Sequence, residues 1–421
     1  MRGDCNRLHF YNVIMKTNIL NYEDKFIILA DDLTGALDSG VQLAQGGMKV
    51  LITLDREDPL LRIDGADVLV IDTETRHIAS ESAYKIIYDI VRKMKEYGVH
   101  TIYKKTDSGL RGNVGAELSA LSDAYENQQI RFVPAWPKMN RVTRNAIHYV
   151  NGLPLSESIF AKDVLDPVRH SNINELIGEQ SDISLSLYPD ESGRIVLYDC
   201  DNDAKMEDIA EDIFAQGDEI RLIAGCAGLL EKYPSDGKQH IQGSDELPHK
   251  LLVLSGSMNE VTARQLKHAE EDGAMRLHLS VNDIATGSFS DESISEICNR
   301  VEEANAKDII IIDSMSELDV DVASKNDLSN KISLAMGNLA EKITKREKER
   351  TLMVIGGDTL LGIVSKLNIE TLEPIREIES GIVLSRYSIG NDIGYLISKS
   401  GAFGSEDLLI QIEKYLSKED K

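Results

Sequence analysis

Cysteine, tryptophan, long apolar runs and positive charge are all scarce in this chain, and each shortage removes a class of function. The four cysteines in 421 residues, Cys5, Cys200, Cys226 and Cys298, are scattered without CxxC spacing, and thiols in a reducing cytosol are the expectation. Nine histidines form no HxH or HxxxH pair, and no structural metal site is expected. Apolar runs such as Leu251–Leu254 and Ile309–Ile312 fall far short of the about 20 residues that span a bilayer. Met1–Lys25 has no continuous apolar core and does not read as a secretory signal, so a cytoplasmic protein without a membrane partner is expected. Lysine and arginine number 46 against 71 aspartates and glutamates, a net charge of −25 that argues against a nucleic-acid partner.

What remains suits a globular enzyme. With 42% hydrophobic and 28% charged residues the chain can bury a sizeable core, and its length allows two to three domains. From Lys25 onward, short apolar runs alternate with helix-period segments. Phe26–Ala30, Val68–Ile71 and Thr101–Lys105 read as buried strands, followed later by Ile195–Tyr198 and Ile220–Ala224. Residues 232–250 hold Pro234, Gly237, Gly243 and Pro248 among charges, which is linker chemistry. The alternation then restarts at Leu251–Leu254, Leu277–Val281, Ile309–Ile312 and Leu352–Ile355. The expected fold class is α/β, with two α/β domains of mostly parallel sheet and the active site in the cleft between them. A tail (1–24), a first domain (25–231), a linker (232–250) and a second domain (251–421) complete the expectation. Glu341–Arg350 reads as a solvated helix end.

Three loops at successive strand ends of the first domain carry reactive side chains. Ala30-Asp31-Asp32-Leu33-Thr34-Gly35 places two adjacent carboxylates where ligands bind in open α/β sheets; they suit a polyol hydroxyl or a hydrated cation, and one of them could simply cap the helix. Thr73–Arg76 adds Glu74, Thr75 and Arg76 to the same edge. Lys104–Asn113 brings together Lys105, Asp107, Ser108 and Arg111 beside two glycines. Lys105 or the two-pronged Arg111 can hold a carboxylate, and Asp107 is placed to accept a proton from a hydroxyl. The Pro134–Leu155 stretch, with the only tryptophan, Trp136, reads as proline-rich irregular structure.

The second domain offers glycine loops instead. Ser255-Gly256-Ser257, Gly356-Gly357-Asp358-Thr359 and Lys399-Ser400-Gly401-Ala402-Phe403-Gly404 each put small residues at a helix N-terminus or turn, the geometry that holds phosphate through backbone N–H groups. Neither GxxxxGK[ST] nor GxGxxG occurs, which disfavours a P-loop kinase and a nicotinamide dehydrogenase.

Taken in order, ADDLTGALD, KKTDSGLRGN, PAWP…R…NGLPLSES, SGS, GGDT and KSGAFG resemble the four-carbon acid sugar kinase family, over about Phe26 to Leu409. That resemblance implies a substrate domain followed by a nucleotide domain. It also implies ATP with Mg²⁺ as cofactors and D-threonate, D-erythronate or 3-oxo-tetronate as acceptor. Asp32, Arg76, Lys105, Asp107, Ser108 and Arg111 fall on the acid-sugar positions, with Asp107 or else Asp32 as base. Ser255, Gly356 to Thr359 and Gly401 fall on ATP-contacting positions. Two departures stand out: Gly109 where the family usually has Thr, and Asn140 before Arg141 where it often has Gly. Asp358 replaces the commoner Glu. Closure at the linker would bring the acceptor hydroxyl in line with the γ-phosphate. A kinase for another small hydroxy acid, or a non-catalytic sensor of nucleotide or sugar acid, is the alternative; a homodimer is the default oligomer.

Overall fold

A computed structural model describes residues 22, 24–63, 65–163, 166–215, 220–234, 247–286, 288–314, 325–347, 349–390 and 392–417. Most of the expected tail, and 235–246 of the expected linker, lie outside them. Tyr22, at the end of that tail, is buried against Tyr97. Tyr233, at the start of the linker, packs on Phe26 and Phe214.

The first half contributes β1 (Phe26–Ala30), β2 (Val50–Thr53), β3 (Val68–Asp72), β4 (Thr101–Lys105), β5 (Ile130–Val133), β6 (Arg141–Arg144), β7 (Ile147–Val150), β8 (Leu153–Pro154), β9 (Leu185–Leu187), β10 (Ile195–Leu197) and β11 (Arg221–Gly225). The second contributes β12 (Lys250–Ser255), β13 (Met275–His278), β14 (Ile309–Asp313), β15 (Arg350–Ile355), β16 (Thr371–Glu379), β17 (Ile382–Ile389) and β18 (Asp392–Lys399). Fifteen of these form one sheet in the order β13-β14-β12-β15-β18-β17-β16-β2-β3-β1-β4-β11-β5-β10-β9. The chain is therefore α/β with mostly parallel sheet, but the two halves share that sheet rather than meeting only at a linker. The junction is narrow: Thr371 and Leu372 of β16 pair antiparallel with Thr53 and Ile52 of β2. The helix Leu33–Gln45 packs across it, and a β-carbon on its Gly40 would lie 3.2–3.3 Å from Ile52, Pro374 and Val50, so glycine permits the close approach. One apolar core runs beneath both halves, from Phe26, Ile28 and Leu37 to Leu254, Val354 and Leu396.

Strands such as β1 and β14 are buried along their whole length, as helices on both faces of a parallel sheet require. By hydrogen bonding, the parallel strands of the two halves run in opposite senses, because the antiparallel β16–β17–β18 meander separates them. A twist of roughly 20–25° per step turns them by roughly 120–150° over the six steps from β15 to β1. The carboxyl ends of both sets of strands thus swing toward one another.

Two sequence expectations need correction. The stretch expected to be irregular contains a separate antiparallel sheet, β6-β7-β8, turned by Asn145-Ala146 and Asn151-Gly152, all with φ between 51° and 82°. Such paired left-handed residues make the tight hairpin turn that matches strand twist. The segment read as a solvated helix end is solvated only in part: its helix stops at Ile343, and Arg350 opens β15 with its side chain fully buried against Glu347.

Candidate active site

β1 is the point where strand order reverses in the first half, since the chain moves to β2 and β3 on one side and to β4 on the other. Its exit loop and those of β3 and β4 consequently line one crevice. Thr73 N and Thr75 N donate to the carbonyls of Ala30 and Asp31, hanging the second loop from the first. Asn113 Nδ2 ties in the third by donating to the carbonyls of Thr75 (2.7 Å) and Ile78 (2.8 Å). Gly112 (φ 82°) lets Arg76 pass, because a β-carbon there would sit 2.9 Å from Arg76 Cγ.

Arg76 is the hub. Its Nε donates to Asp31 Oδ2 at 2.7 Å, its Nη1 to Asp32 Oδ2, and its Nη2 lies 3.8 Å from Asp107 Oδ1. Asp32 Oδ1 also caps the helix Leu33–Gln45 by accepting from Gly35 N at 2.7 Å. Arg111 grips Asp107 with two prongs, Nε to Oδ2 at 2.8 Å and Nη2 to Oδ1 at 2.9 Å, and gives Nη1 to Asp163 Oδ2 at 2.9 Å. Burial alone would raise the carboxyls of Asp31 and Asp107. For Asp107, Arg111 and Arg76 outweigh it and hold the group well below the carboxylate range; for Asp31, Arg76 and Lys104 lower it. Both are carboxylates at any working pH.

Lys105 sits 3.0 Å from the β-carbon position of Gly35, and its Nζ donates only to the Thr106 carbonyl among the described residues. Lys104, by contrast, is buried in an ion pair with Glu117 (3.0 Å). The Ser108 carbonyl takes a hydrogen bond from His148 Nε2 (3.1 Å), whose Nδ1 meets Thr143 Oγ1 (3.1 Å). Burial pushes His148 down to about 4, so it stays neutral.

The three glycine loops of the second half converge in the same manner. Ser255 and Ile355 end the neighbouring strands β12 and β15, and Lys399 ends β18. A β-carbon on Gly256 would lie 2.1 Å from Thr359 Oγ1, and one on Gly401 2.5 Å from Ser257 Oγ. Gly356 adopts φ 112° and leaves the helix Gly357–Lys366 without a side-chain cap, so its first N–H groups are open to phosphate. Among the described residues Ser255 Oγ is buried without a hydrogen-bond partner. Asp358 is exposed, and its Oδ2 accepts from Ser329 Oγ at 2.6 Å. Lys399 Nζ donates to the Ser400 and Gly401 carbonyls (3.0 and 3.2 Å), and burial lowers it to about 8. This cradle of small residues fits a nucleotide's phosphates. Among the described residues no three His, Cys, Asp or Glu side chains group to hold a metal.

The two clusters face each other. Thr34 Oγ1 lies 3.3 Å from the β-carbon position of Gly357, bringing the N-terminal ends of the two helices together. His77, held by Asp166 and thereby raised above its ordinary range, also feels the charge of Asp358 across the gap.

Two participants carried no sequence signal of their own. Lys399 lay inside a quoted motif. Phe160 gave no signal, yet it explains Gly109: a β-carbon at 109 would lie 2.6 Å from the Phe160 ring. Gly109→Ala is accordingly expected to cost about 1–3 kcal/mol by overpacking, read from the thermal midpoint. Adding Phe160→Ala to the same chain should restore most of it; no rescue would mean that the ring is not the obstacle.

Comparison with known proteins fits this division. The family model for a sugar-binding N-terminal domain matches residues 26–233, and that for a nucleotide-binding C-terminal domain matches 252–409. A D-threonate kinase of Salmonella typhimurium is 30% identical, with 93% of this chain and 98% of that protein aligned. A D-erythronate kinase of Heliobacterium modesticaldum is 24% identical (93% and 96%), and a 3-oxo-tetronate kinase of Methylobacterium radiotolerans 25% (90% and 96%). Solved structures from Salmonella typhimurium and Haemophilus influenzae share the fold, at TM-scores of 0.75 and 0.71 and 21% identity, each covering 93% of this chain and 99% of the other. With both domain models matched and a relative at 30% identity along nearly its whole length, this chain belongs to the four-carbon acid sugar kinase family.

Proposed function

We propose that this chain transfers the γ-phosphoryl group of ATP to the terminal hydroxyl of a four-carbon sugar acid, D-threonate first among D-threonate, D-erythronate and 3-oxo-tetronate, giving the 4-phosphate. The observation that carries this is the meeting of Thr34 with Gly357, which sets an acidic, hydroxyl-binding loop against an uncapped, phosphate-binding helix end. Residues 25–231 bind the acid and 251–421 the nucleotide. Ser255, Ser257, Gly356, Gly357, Thr359 and Gly401 cradle the phosphates, and Asp358 is the carboxylate positioned to share a Mg²⁺ carried by ATP, which would neutralise phosphate charge.

Asp32 is the better candidate for orienting the acceptor hydroxyl. Asp107 has both oxygens committed to Arg111, whereas Asp32 is partly exposed, at 20% of its side chain, and adjoins Thr34 at the meeting point. A weak base suffices, because a loose phosphoryl-transfer transition state calls for placement and charge neutralisation more than proton removal. Lys105, beside the same helix end, supplies positive charge to the transferred group.

The test is ADP release with MgATP over D-threonate, D-erythronate, 3-oxo-tetronates, their L-isomers and longer sugar acids. Turnover at least about 100-fold faster with one four-carbon acid than with the longer acids is expected. ATP binding with no turnover on the whole panel would sink the proposal and favour a sensor.

A further inference from the structure

Counting the cations around the acceptor loops leaves one without a task. Arg76 is shared by three carboxylates, Arg111 is spent on Asp107 and Asp163, and Lys104 is paired with Glu117. Lys105 lies at the reacting end, against Gly35. Arg141 is different. It is half-buried, and among the described residues it has no carboxylate within ion-pair distance. Its Nη1 donates to the Met139 carbonyl at 2.5 Å, while among the described residues Nε is buried with no acceptor and Nη2 has no hydrogen-bond partner.

The identity of the free atoms matters. Nε and Nη2 form the side edge of a guanidinium, where two parallel N–H bonds match the two oxygens of a carboxylate. Leaving a buried guanidinium N–H unpaired costs free energy that a bound anion would recover. The arginine is also rigidly carried. Asn140 turns the chain in the left-handed region (φ 54°), and Arg141 and Trp136 exchange both backbone hydrogen bonds, at 3.0 and 2.8 Å. Its guanidinium lies 5.7 Å from the centroid of Phe160, the ring that also carries Arg111 at 5.0 Å and rests against Gly109. Arg141 therefore borders the acceptor loop through a single aromatic ring.

The geometry points to Arg141 as the residue that binds the acceptor's carboxylate through its Nε/Nη2 edge, with Phe160 as the wall against which the carbon chain is measured. This rests on the sugar-acid kinase reading above. The carboxylate is held by Arg141 at one end, and the terminal hydroxyl reaches Asp32 at the other. Selection for an acid over a neutral polyol comes from Arg141, and Arg111 serves to brace Asp107.

Two variants test it, Arg141→Gln and Arg141→Lys. Calorimetry gives Kd for D-threonate and for the neutral tetritol D-threitol, and ADP release gives KM for D-threonate and for ATP. For Arg141→Gln, Kd and KM for D-threonate should rise at least about 30-fold, with KM for ATP within twofold and the preference for acid over tetritol nearly lost. Arg141→Lys keeps the charge without the fork and should recover only part of the affinity. It also serves as the test chain if the Gln variant does not fold. A Gln variant binding D-threonate within threefold of a turning-over parent overturns the assignment and leaves the kinase reading standing. A parent that neither binds nor phosphorylates any four-carbon acid overturns both.

Discussion

An Arg76→Met chain is expected to lose about 3–5 kcal/mol of unfolding free energy at neutral pH, measured by urea denaturation. Methionine matches much of the arginine's volume, so the loss isolates charge rather than packing. Asp31 is 2% exposed, and among the described residues one of its oxygens already has no hydrogen-bond partner; removing Arg76 strips its other oxygen and releases Asp32 from its ion pair at the same time. Asp107 keeps Arg111, so the first carboxylate pair bears most of the change. The pH dependence has a definite sign. In the parent, Asp31 lies below its ordinary value, so its stabilisation is present above the unfolded carboxyl pKa of about 3.9 and is lost as pH falls through the folded value. In the variant, burial is no longer offset by Arg76 and pushes the carboxyl up; the penalty is then largest near neutrality and fades as acid protonates it. A variant as stable as the parent at pH 7, or a deficit that grows toward low pH, would show that Arg76 does not hold these charges.

The legible parts of this fold were those whose physics is local. Phe26–Ala30 and Ile309–Ile312 are apolar throughout because both their faces are covered, and the three reactive loops follow directly at strand ends. The meander was hidden for the opposite reason. Thr371–Glu379 alternates with charges, contains Pro374 and carries two register shifts, since β16 is half-exposed and bulged. Yet that strand is what pairs the halves into one sheet, a connection that the linker chemistry of 232–250 does not reveal. The hairpin β7–β8 did advertise itself through Asn151-Gly152, a signal obscured by the prolines around it. Charge pairing was the least legible layer. Sequence spacing puts Arg111 beside a substrate as readily as beside Asp107, and only tertiary placement of Asp163 shows its third prong to be occupied. The same holds for Arg141, whose side chain has no carboxylate within ion-pair distance among the described residues.

Asp32→Asn is expected to reduce kcat with the best acid by about 10²–10⁴-fold while KM for ATP stays within threefold. The substitution is informative because asparagine is as good a helix cap as aspartate and can still accept from Gly35 N, so the helix Leu33–Gln45 and its approach to Gly357 survive. What disappears is the negative charge that pairs with Arg76 Nη1, two residues before Thr34 and its contact with Gly357. Asp107→Asn removes a carboxylate from a different duty: it fixes Arg111 by two prongs and takes N–H bonds from Gly109 (3.1 Å) and Arg111 (3.3 Å), shaping the loop that lies against Phe160. Its loss should therefore appear mainly as a higher KM for the acid, with a smaller change in kcat. Steady-state kinetics on the two variants separates the roles. If Asp107→Asn collapses kcat at unchanged KM and Asp32→Asn turns over within threefold of the parent, the hydroxyl is oriented from β4 rather than β1. The transferred group would then have to approach from the Arg111 side of the crevice, away from the point where Thr34 meets Gly357.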